Sequence, residues 1–447
     1  MYTKYIFYLC LCYNMSSIIL SSAENSALLQ TLSQSDSMVI PSVYSTKEIY
    51  APSATSWFSG LDPQSTNVTE GSSVTWTLPK FGFLQQILFS FRMEYTAGAV
   101  LPAETISIPA GSAYEMIDRI EFLSSSRVIS TLYKQDLIAL HSNLATDELF
   151  PITQTFATET NDSAPGVGAE GSTVSIGQNY VLPIVFGFNE DINTVQNLSF
   201  NEPCQLRIVW GSTFDLAARV TTDGGATAAS LATAVCSKPQ LALRYKMYSE
   251  ADNAMLLSEN YSEPQLNMLT SRQYRENPVR ETAAASKVKF DNVSLKNVDV
   301  VKAFYVMVRP VTVNGSSGTN VNDIAKNQKI TSVKLMASGQ EICTISEQQN
   351  FYSKLTDNGY AFQSSTALLA GVGYSNVFKI QTGLWENGGG GAWSNGWSLR
   401  EMNNLTITVE ADTLKATGQY ELTVVETTST ILSTSSNTGR VTTALSN

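Results

Sequence analysis

Two seventeen-residue stretches of this chain repeat one pattern of apolar and turn residues. IDRIEFLSSSRVISTLY begins at Ile117 and ITSVKLMASGQEICTIS begins at Ile330, so residue n of the first matches residue n + 213 of the second without a gap. In each copy two apolar runs flank a small turn, which predicts a β-hairpin. A short helix is predicted to follow the first copy, and EQQNFYSKL stands in its place after the second. The matched apolar pairs are Ile117 with Ile330, Ile120 with Val333, Phe122 with Leu335, Leu123 with Met336, Ile129 with Ile342, and Leu132 with Ile345.

A second pair of segments repeats in the same order. LSFNEPCQLRIVW, which ends at Trp210, aligns without gaps to WSLREMNNLTITV, which ends at Val409, at an offset of 199. This alignment places Leu206 over Leu405 and therefore pairs two apolar strands. Two ordered matches with slightly different offsets predict duplicated domains whose loops differ in length. A solenoid is excluded because the spacing is a whole domain.

The composition agrees with two β domains. The chain has 447 residues, more than one hydrophobic core of about 250–300 residues usually organises. Charged residues make up only 15%, and Ser, Thr, Asn, Gly, Val and aromatic residues are plentiful, which favours strands and turns. The predicted class is all-β. YVLPIVFGF, which begins at Tyr180, is continuously apolar and is predicted to be buried on both faces or to lie beneath another subunit.

Charge and cysteine content exclude several functions. The net charge of −11 argues against direct, sequence-specific binding of nucleic acid. The cysteines form no C-x-x-C pair, and the single histidine, His141, completes no metal site, so we expect no disulfide framework, metal or cofactor. The five cysteines are Cys10, Cys12, Cys204, Cys236 and Cys343.

Patterning along the chain divides it into five segments. Residues 1–70 are predicted to be a leader and an extended arm, 71–248 the first β domain, 249–285 a charged linker, 286–430 the second β domain, and 431–447 a C-terminal tail.

The N-terminal segment has two interpretations. The apolar run after Lys4 has the basic start and small residues of a secretory signal, and it is too short for a confident membrane span. Alternatively, Met15 is the working start and residues 1–14 are dispensable. Both interpretations stay open at this point.

The residues that could carry catalysis lack the pattern that catalysis requires. His141 is expected to be a surface or capping histidine, and the glycine-rich run from Gly388 to Gly396 lacks the strand-to-helix context of a phosphate loop. No spacing singles out a carboxylate pair for glycoside hydrolysis, so these carboxylates are expected on solvated faces. They are Glu115, Asp118, Glu121, Glu341 and Glu347. We therefore expect a protein that is not an enzyme.

Three tryptophans near the glycine-rich run are the strongest candidates for recognition. Trp385, Trp393 and Trp397 could bind a sugar or a partner protein from a surface loop. The competing interpretation, which we favour, is that they pack beneath the loop or against a neighbouring subunit.

Three motifs resemble those of the double jelly-roll major capsid proteins of nucleocytoplasmic large DNA viruses, virophages and polinton-like viruses. SAYEMIDRIEFLSSSRVISTLYKQDLIAL looks like the strand, turn and helix of that family's first domain. YVLPIVFGFNED with CQLRIVW is similar to two later strands of the same domain. ITSVKLMASGQEI looks like the second-domain counterpart, with its L-x-x-x-G-Q turn at Leu335, Gly339 and Gln340.

This resemblance implies two tandem eight-stranded antiparallel jelly-roll β-sandwiches with short helices in the loops. It also implies a virion protein, the major subunit of an icosahedral double-stranded DNA virus capsid, which forms homotrimeric, pseudo-hexameric capsomers. Neighbouring capsomers, minor capsid or penton proteins and an internal membrane are the implied partners. The alternative is a secreted two-domain β-sandwich adhesin or carbohydrate-binding protein, and a secreted polysaccharide-active enzyme is the least favoured hypothesis.

Overall fold

The structure is a computed structural model of the chain. It describes residues 53–61, 63, 68–79, 83–97, 105–107, 112–141, 163–165, 174–186, 196–197, 203–211, 219–221, 231–248, 265–296, 300–311, 328–350, 377–382, 397–399, 402, 404–413, 418–435 and 441–444. No helix among these residues is long and apolar enough to cross a membrane.

The first half of the chain contains twelve described strands and two short helices. They are β1 (Ser53–Leu61), β2 (Ser73–Thr77), β3 (Phe83–Ala97), β4 (Thr105–Ser107), α1 (Ser112–Met116), β5 (Ile117–Ser124), β6 (Arg127–Tyr133), α2 (Lys134–His141), β7 (Ser163–Pro165), β8 (Val174–Ile184), β9 (Gln196–Asn197), β10 (Cys204–Trp210), β11 (Arg219–Thr221) and β12 (Leu231–Tyr248).

The eight longest of these strands form two antiparallel sheets. One sheet has the order β1-β12-β3-β8, and the other has the order β2-β10-β5-β6. Numbered by chain order, the eight strands are therefore arranged 1-8-3-6 and 2-7-4-5, which is the strand order of a jelly roll. The short strands lie outside this pattern: β9 pairs with β3, and β11-β4-β7 form a small sheet of their own.

The second half contains eleven described strands. They are β13 (Gln265–Arg275), β14 (Val279–Ala283), β15 (Lys287–Ser294), β16 (Val300–Pro310), β17 (Lys329–Ala337), β18 (Gln340–Ser346), β19 (Phe378–Gln381), β20 (Trp397–Ser398), β21 (Thr406–Asp412), β22 (Gly418–Ser435) and β23 (Val441–Ala444).

The second half repeats the strand order of the first. Its sheets are β13-β22-β16-β19 and β15-β21-β17-β18, which are again 1-8-3-6 and 2-7-4-5. Strands β14 and β23 also pair with β22, and β20 pairs with β16. The predicted all-β fold of two eight-stranded jelly rolls with short helices is confirmed, and so is the predicted helix after the first hairpin.

The repeated hairpins, β5–β6 and β17–β18, agree in their turns. Ser125 and Ser126 have φ of +46° and +74°, and their matches Ser338 and Gly339 have +50° and +80°. Positive φ at both central residues is the backbone of a two-residue turn that fits the twist of a hairpin. The duplication predicted at an offset of 213 therefore extends to backbone conformation.

The same hairpins agree in their bulges and in the helical residues after them. The pairing register skips Ile129 in the first copy and its match Ile342 in the second. Each hairpin then runs into helical residues: the Asp136 side chain accepts the backbone N–H of Tyr133 at 2.8 Å, and 213 residues later Gln349 accepts that of Ser346 at 2.8 Å. This contact is one half of a capping box.

The second sequence match pairs the equivalent strands β10 and β21 but aligns them in the wrong register. Leu206 of β10 lies opposite Phe122, and Ile407 of β21 lies opposite Leu335, the match of Phe122. The structural offset between these strands is therefore 201, two residues more than the gapless alignment indicates. A two-residue shift keeps the same side chains facing the core, because side chains alternate with a period of two.

Three predicted segment boundaries differ from the strands observed. Strand β1 lies within residues 1–70, predicted as leader and arm, and pairs with β12. Strands β13 and β14 lie within the predicted linker 249–285, and β23 lies within the predicted tail 431–447; all three pair with β22. These segments are strands because long edges of β12 and β22 supply their backbone hydrogen bonds, which a polar sequence pattern does not reveal.

Each roll has its own aromatic or aliphatic core. In the first, the Phe89 ring lies 5.7 Å from Trp76 and 5.8 Å from Trp210, between the two sheets. In the second, Phe290, Leu335 and Ile407 are fully buried with residues of β16 and β22.

Candidate functional site: the seam between the rolls

Strand β16 is buried on both of its faces. Phe304, Val306 and Val308 belong to the core of the second roll. The alternate residues Ala303, Tyr305 and Met307 are also buried, but they belong to the core cluster of the first roll. The outer face of the second roll's 1-8-3-6 sheet is therefore covered by the first roll.

Helix α2 lies at this contact. It begins directly after β6 and packs on β5 and β6 of its own roll and on β22 of the other. Its residues Leu137, Ile138, Ala139 and Leu140 are buried in the same cluster as the outer face of β16. We call the contact of β6 and α2 with β13, β16, β22 and β23 the seam.

Polar contacts complete the seam beside the helix. The guanidinium carbon of Arg275, at the end of β13, lies 4.3 Å from the centre of the Tyr133 ring. Its Nη1 donates a hydrogen bond to Oε1 of Gln135 at 2.9 Å. An arginine is suited to this place, because its planar group can stack on an aromatic ring and donate hydrogen bonds at the same time.

Asp136 is a buried carboxylate at the seam. Its Oδ2 accepts the backbone N–H of Tyr133, while Oδ1 has no hydrogen-bond partner in the part of the chain described. Burial raises the pKa of Asp136 to about 6, although the Tyr133 hydrogen bond and the charge of Arg275 act in the opposite direction. The charged form is disfavoured by loss of hydration.

These seam residues were missed by the sequence analysis. Tyr133 is the last residue of the repeated hairpin, Gln135 follows it, and Arg275 lies in the segment predicted as linker. One signal was present: an acid three residues after the hairpin's end is a helix-start pattern. Nothing in the sequence paired that start with Arg275, because the two lie about 140 residues apart.

A second charged cluster lies on the outer face of the first roll's 2-7-4-5 sheet. Glu121 is 5% exposed and binds Arg119 on its own strand, with Nε–Oε1 at 2.7 Å, and Arg207 across the sheet. Arg119 also binds the exposed Asp118 at 2.8 Å. The arginine side chains that bind Glu121 are themselves about one third exposed.

The other carboxylates considered for catalysis are also held by cations. Glu341 binds Lys334 at 2.7 Å, which lowers the pKa of that carboxyl, and Glu347 binds Lys329 at 3.0 Å. The side chains of these two pairs are between 36% and 48% exposed, as expected of solvated faces. The same expectation is wrong for Glu121, which two arginines cover so that it is only 5% exposed. Glu115 lies in α1, and its side chain is outside the described set.

The histidine and cysteines form no site among the described residues. His141 ends α2, and its side chain lies outside the described set. Cys204 and Cys236 are buried and Cys343 is half-buried, and none of these three forms a disulfide among the described residues. No cluster of three metal-ligating side chains occurs in the described ranges. Cys10, Cys12 and the glycine-rich run at Gly388 lie outside those ranges.

Of the three tryptophans, only Trp397 is described. It lies in β20 opposite Val301, and its ring centre is 6.5 Å from that of Phe304. Half-buried, it packs against the second core. This packing is on the core of the second roll, and the glycine-rich run lies outside the described residues, so both interpretations of Trp397 stay predictions. Trp385 and Trp393 lie outside the described residues.

Comparison with known proteins finds likeness in structure only. No protein-family model matches the chain, and no curated protein matches it. The VP54 protein of PBCV-1 superposes with a TM-score of 0.60 at 13% identity, covering 89% of this chain and 98% of its own. The Faustovirus major capsid protein gives 0.55 at 9% identity, covering 90% and 94%. The mavirus major capsid protein gives 0.53 at 13%, covering 92% of each chain.

Both rolls have the same strand order, they pack side by side through a buried seam, and they superpose on these capsid structures over most of the chain. The chain therefore has the double jelly-roll fold seen in viral major capsid proteins.

Proposed function

We propose that this protein is the major capsid subunit of an icosahedral double-stranded DNA virus, and that three copies form a pseudo-hexagonal capsomer. The observation that carries the proposal is the equivalence of the two rolls, which share strand order, turns and bulges and pack together at the seam. Two similar rolls per chain give six similar rolls per trimer. Closed symmetry of this kind is the usual form of homo-oligomers.

Jelly rolls suit a protein that must pack densely. Their sheet edges are short or covered, which limits uncontrolled strand pairing between copies. In this proposal the protein resides in the virion shell, and its partners are neighbouring capsomers, minor capsid or penton proteins and an internal membrane. We assign no catalysis and no cofactor, and the acidic net charge of −11 supports no direct contact with the genome.

The extent of each roll is part of the proposal. We place the first roll from β1 to β12 and the second from β13 to β23, so that the connection between them is residues 249–264. This division gives each roll all eight of its strands. Limited proteolysis of the native protein tests it, because cleavage should begin within 249–264 and leave both rolls intact.

Recognition by the tryptophan loop stays a prediction for Trp385 and Trp393. Glycan binding by the purified protein that is lost in Trp393→Ala, together with secretory cleavage near Ala23, would instead support the secreted carbohydrate-binding alternative. The packing of Trp397 on Phe304 favours a structural role for that residue.

The test of the proposed function is the assembly state of the full chain. Size-exclusion chromatography with light scattering should give a stable trimer, and electron micrographs of the same fraction should show particles with a hexagonal outline. A chain that stays monomeric at high concentration and shows no such particles would refute the proposal.

A further inference from the structure

The Asp136 carboxyl group lies in the seam with hydrogen bonding to one of its two oxygens only. The residue belongs to the first turn of α2 and is 1% exposed. Its Oδ2 accepts the backbone N–H of Tyr133, while Oδ1 is buried and has no hydrogen-bond partner among the residues that the structure describes. When the carboxyl is ionised, Oδ1 therefore loses its hydration and gains nothing in exchange.

The equivalent residue of the second roll shows that this helix start does not require an acid. Gln349, 213 residues after Asp136, accepts the backbone N–H of Ser346 at 2.8 Å through a neutral amide, and it is exposed. The chain thus has an amide where water is present and an ionisable acid where water is excluded. Stability at neutral pH favours the opposite arrangement, because burial of a charge costs more than burial of an amide. The start of α2 therefore does not explain the acid at position 136.

Arg275 of the second roll is the charged group that acts on Asp136 among the described residues. Its guanidinium stacks on the Tyr133 ring and donates a hydrogen bond to Gln135, the residue before Asp136. The positive charge of Arg275 favours the ionised carboxyl, but burial has the larger effect and raises the pKa of Asp136 to about 6. Arg275 therefore does not hold the carboxylate in its charged form.

The charged groups of β5 and β6 are engaged away from this carboxyl. Asp118 and Glu121 of β5 both bind Arg119 on the outer face of the sheet. Arg127 lies at the end of β6 opposite to α2. Within α2, Lys134 is half-buried, and the position of the His141 side chain is outside the described set.

The titratable groups of β22 and α1 are likewise engaged or neutral. Glu426 lies opposite Phe304 and shares its side of the sheet, which faces the second core and not the seam. Glu421 binds Arg280 at 2.9 Å. Burial raises the pKa of Tyr114 in α1 well above its ordinary value, so this phenol is neutral.

We propose that Asp136 makes the seam sensitive to pH: α2 stays packed against β22 while the buried carboxyl holds a proton, and it opens locally when the carboxyl is ionised. Opening gives Oδ1 the water that the closed seam excludes. The two rolls are therefore held together most firmly in acid. The inference concerns contacts within one chain and goes beyond the proposed function without depending on it.

The size of the effect follows from the two pKa values of Asp136. The ordinary value is 3.8 and the value in the closed seam is about 6, so closure is fully favoured below pH 3.8 and weakens as the pH rises through 6. Between pH 4 and pH 8 these values raise the opening constant by at most about sixtyfold.

Hydrogen–deuterium exchange of the full chain at pH 4 and pH 8, measured by peptide mass spectrometry, tests the proposal. After correction for the intrinsic pH dependence of amide exchange, protection of residues 134–141 should fall at least about tenfold from pH 4 to pH 8. Protection of β18 should change less than about threefold, because this edge strand of the second roll lies outside the seam.

Two variants separate the buried carboxyl from the helix start. Asp136→Asn keeps an oxygen that accepts the Tyr133 N–H but cannot ionise, so α2 in this variant should be equally protected at both pH values. Gln349→Asp is the matched control, because it places an acid at the equivalent helix start where water reaches both oxygens. This control should leave the pH dependence of α2 as in the wild type and give residues 340–349 a change of less than about threefold.

Three outcomes would overturn the inference. The first is equal protection of α2 at pH 4 and pH 8 in the wild type. The second is an unchanged pH dependence in Asp136→Asn, because another group would then be responsible. The third is an equal fall in the protection of α2 and β18, because the whole chain would then unfold. None of these results bears on the trimer of the proposed function, which light scattering measures separately.

Discussion

Replacing Asp136 by asparagine should stabilise the protein at neutral pH and have little effect in acid. The Asp136 side chain is fully buried at the seam, and only one of its oxygens has a hydrogen-bond partner among the described residues. Asparagine has nearly the same shape, and its side-chain oxygen can still accept the backbone N–H of Tyr133. The substitution therefore removes a buried charge and keeps the helix cap.

The size of the change in the free energy of unfolding follows from the pKa of Asp136. Burial raises the pKa of Asp136 from 3.8 to about 6, so folding favours the neutral carboxyl. The stability that this group contributes is fully present below pH 3.8 and is lost as the pH rises through 6. Since one pKa unit corresponds to about 1.4 kcal/mol, the charged form costs about 3 kcal/mol at pH 8. Asp136→Asn should recover an amount of that order.

The assay is urea unfolding of wild type and variant at pH 4, 6 and 8. The difference between the two free energies of unfolding cancels the titration of all other groups. We expect Asp136→Asn to be more stable by about 3 kcal/mol at pH 8 and nearly equal to the wild type at pH 4. Asp118→Asn, an exposed control, should show little change. A difference for Asp136→Asn that does not depend on pH, or that grows in acid, would refute the reasoning.

Four further substitutions test the fold by the same urea assay. Ser126→Gly should raise the free energy of unfolding by about 0.5–1 kcal/mol, because Ser126 has φ +74° where the matching turn has Gly339. Gly339→Ser should lower it by a similar amount. The reasoning would be contradicted if both substitutions changed the free energy in the same direction. Glu121→Gln should lower the free energy of unfolding by about 2 kcal/mol, because it removes the charged partner of Arg207 and leaves Arg119 only the exposed Asp118, against less than about 1 kcal/mol for Asp118→Asn. Equal losses would show that burial of Glu121 is unimportant. Phe89→Ala should lower the free energy of unfolding by about 3–5 kcal/mol, because the Phe89 ring fills the space between Trp76 and Trp210. A decrease of less than about 1 kcal/mol would mean that the core closes around the gap.

Local patterns predicted the hairpins and the helix start well. The turn at Ser125 and Ser126 and the one at Ser338 and Gly339 depend on residues within the hairpin itself, so the sequence contains the information that forms them. The second gapless match likewise paired two equivalent apolar strands, β10 and β21. Its register was wrong by two residues, because a shift of two preserves the alternation of apolar residues and only the partner strand distinguishes the alternatives.

Strands that depend on a distant partner were not predictable. The polar sequence of β13 has no strand alternation, yet all eleven residues pair with β22, about 150 residues or more away. Strand propensity mainly reflects packing against neighbours, so a strand of this kind becomes recognisable only when its neighbour is known. The same reason explains why β1 was predicted as part of an arm.

Burial of a strand on both of its faces is a second property that the sequence did not predict. YVLPIVFGF was predicted to be buried on both faces or to lie beneath another subunit. Within the single chain Val181 of β8 is half-buried, so the second alternative stays a prediction, whereas β16 is buried over nine consecutive residues. The second face of β16 is buried by α2 and the first roll, which is a property of how the rolls dock.

The amino-acid sequence by itself determined the all-β class, the duplication and the two matching hairpins, because these depend on short-range alternation and turn chemistry. Only the tertiary structure decided the strand register, the strands β1 and β13, and the seam at which Asp136 and Arg275 meet. These features depend on backbone edges and outer faces that come together from distant parts of the chain, and no local pattern records which edge or face will be the partner.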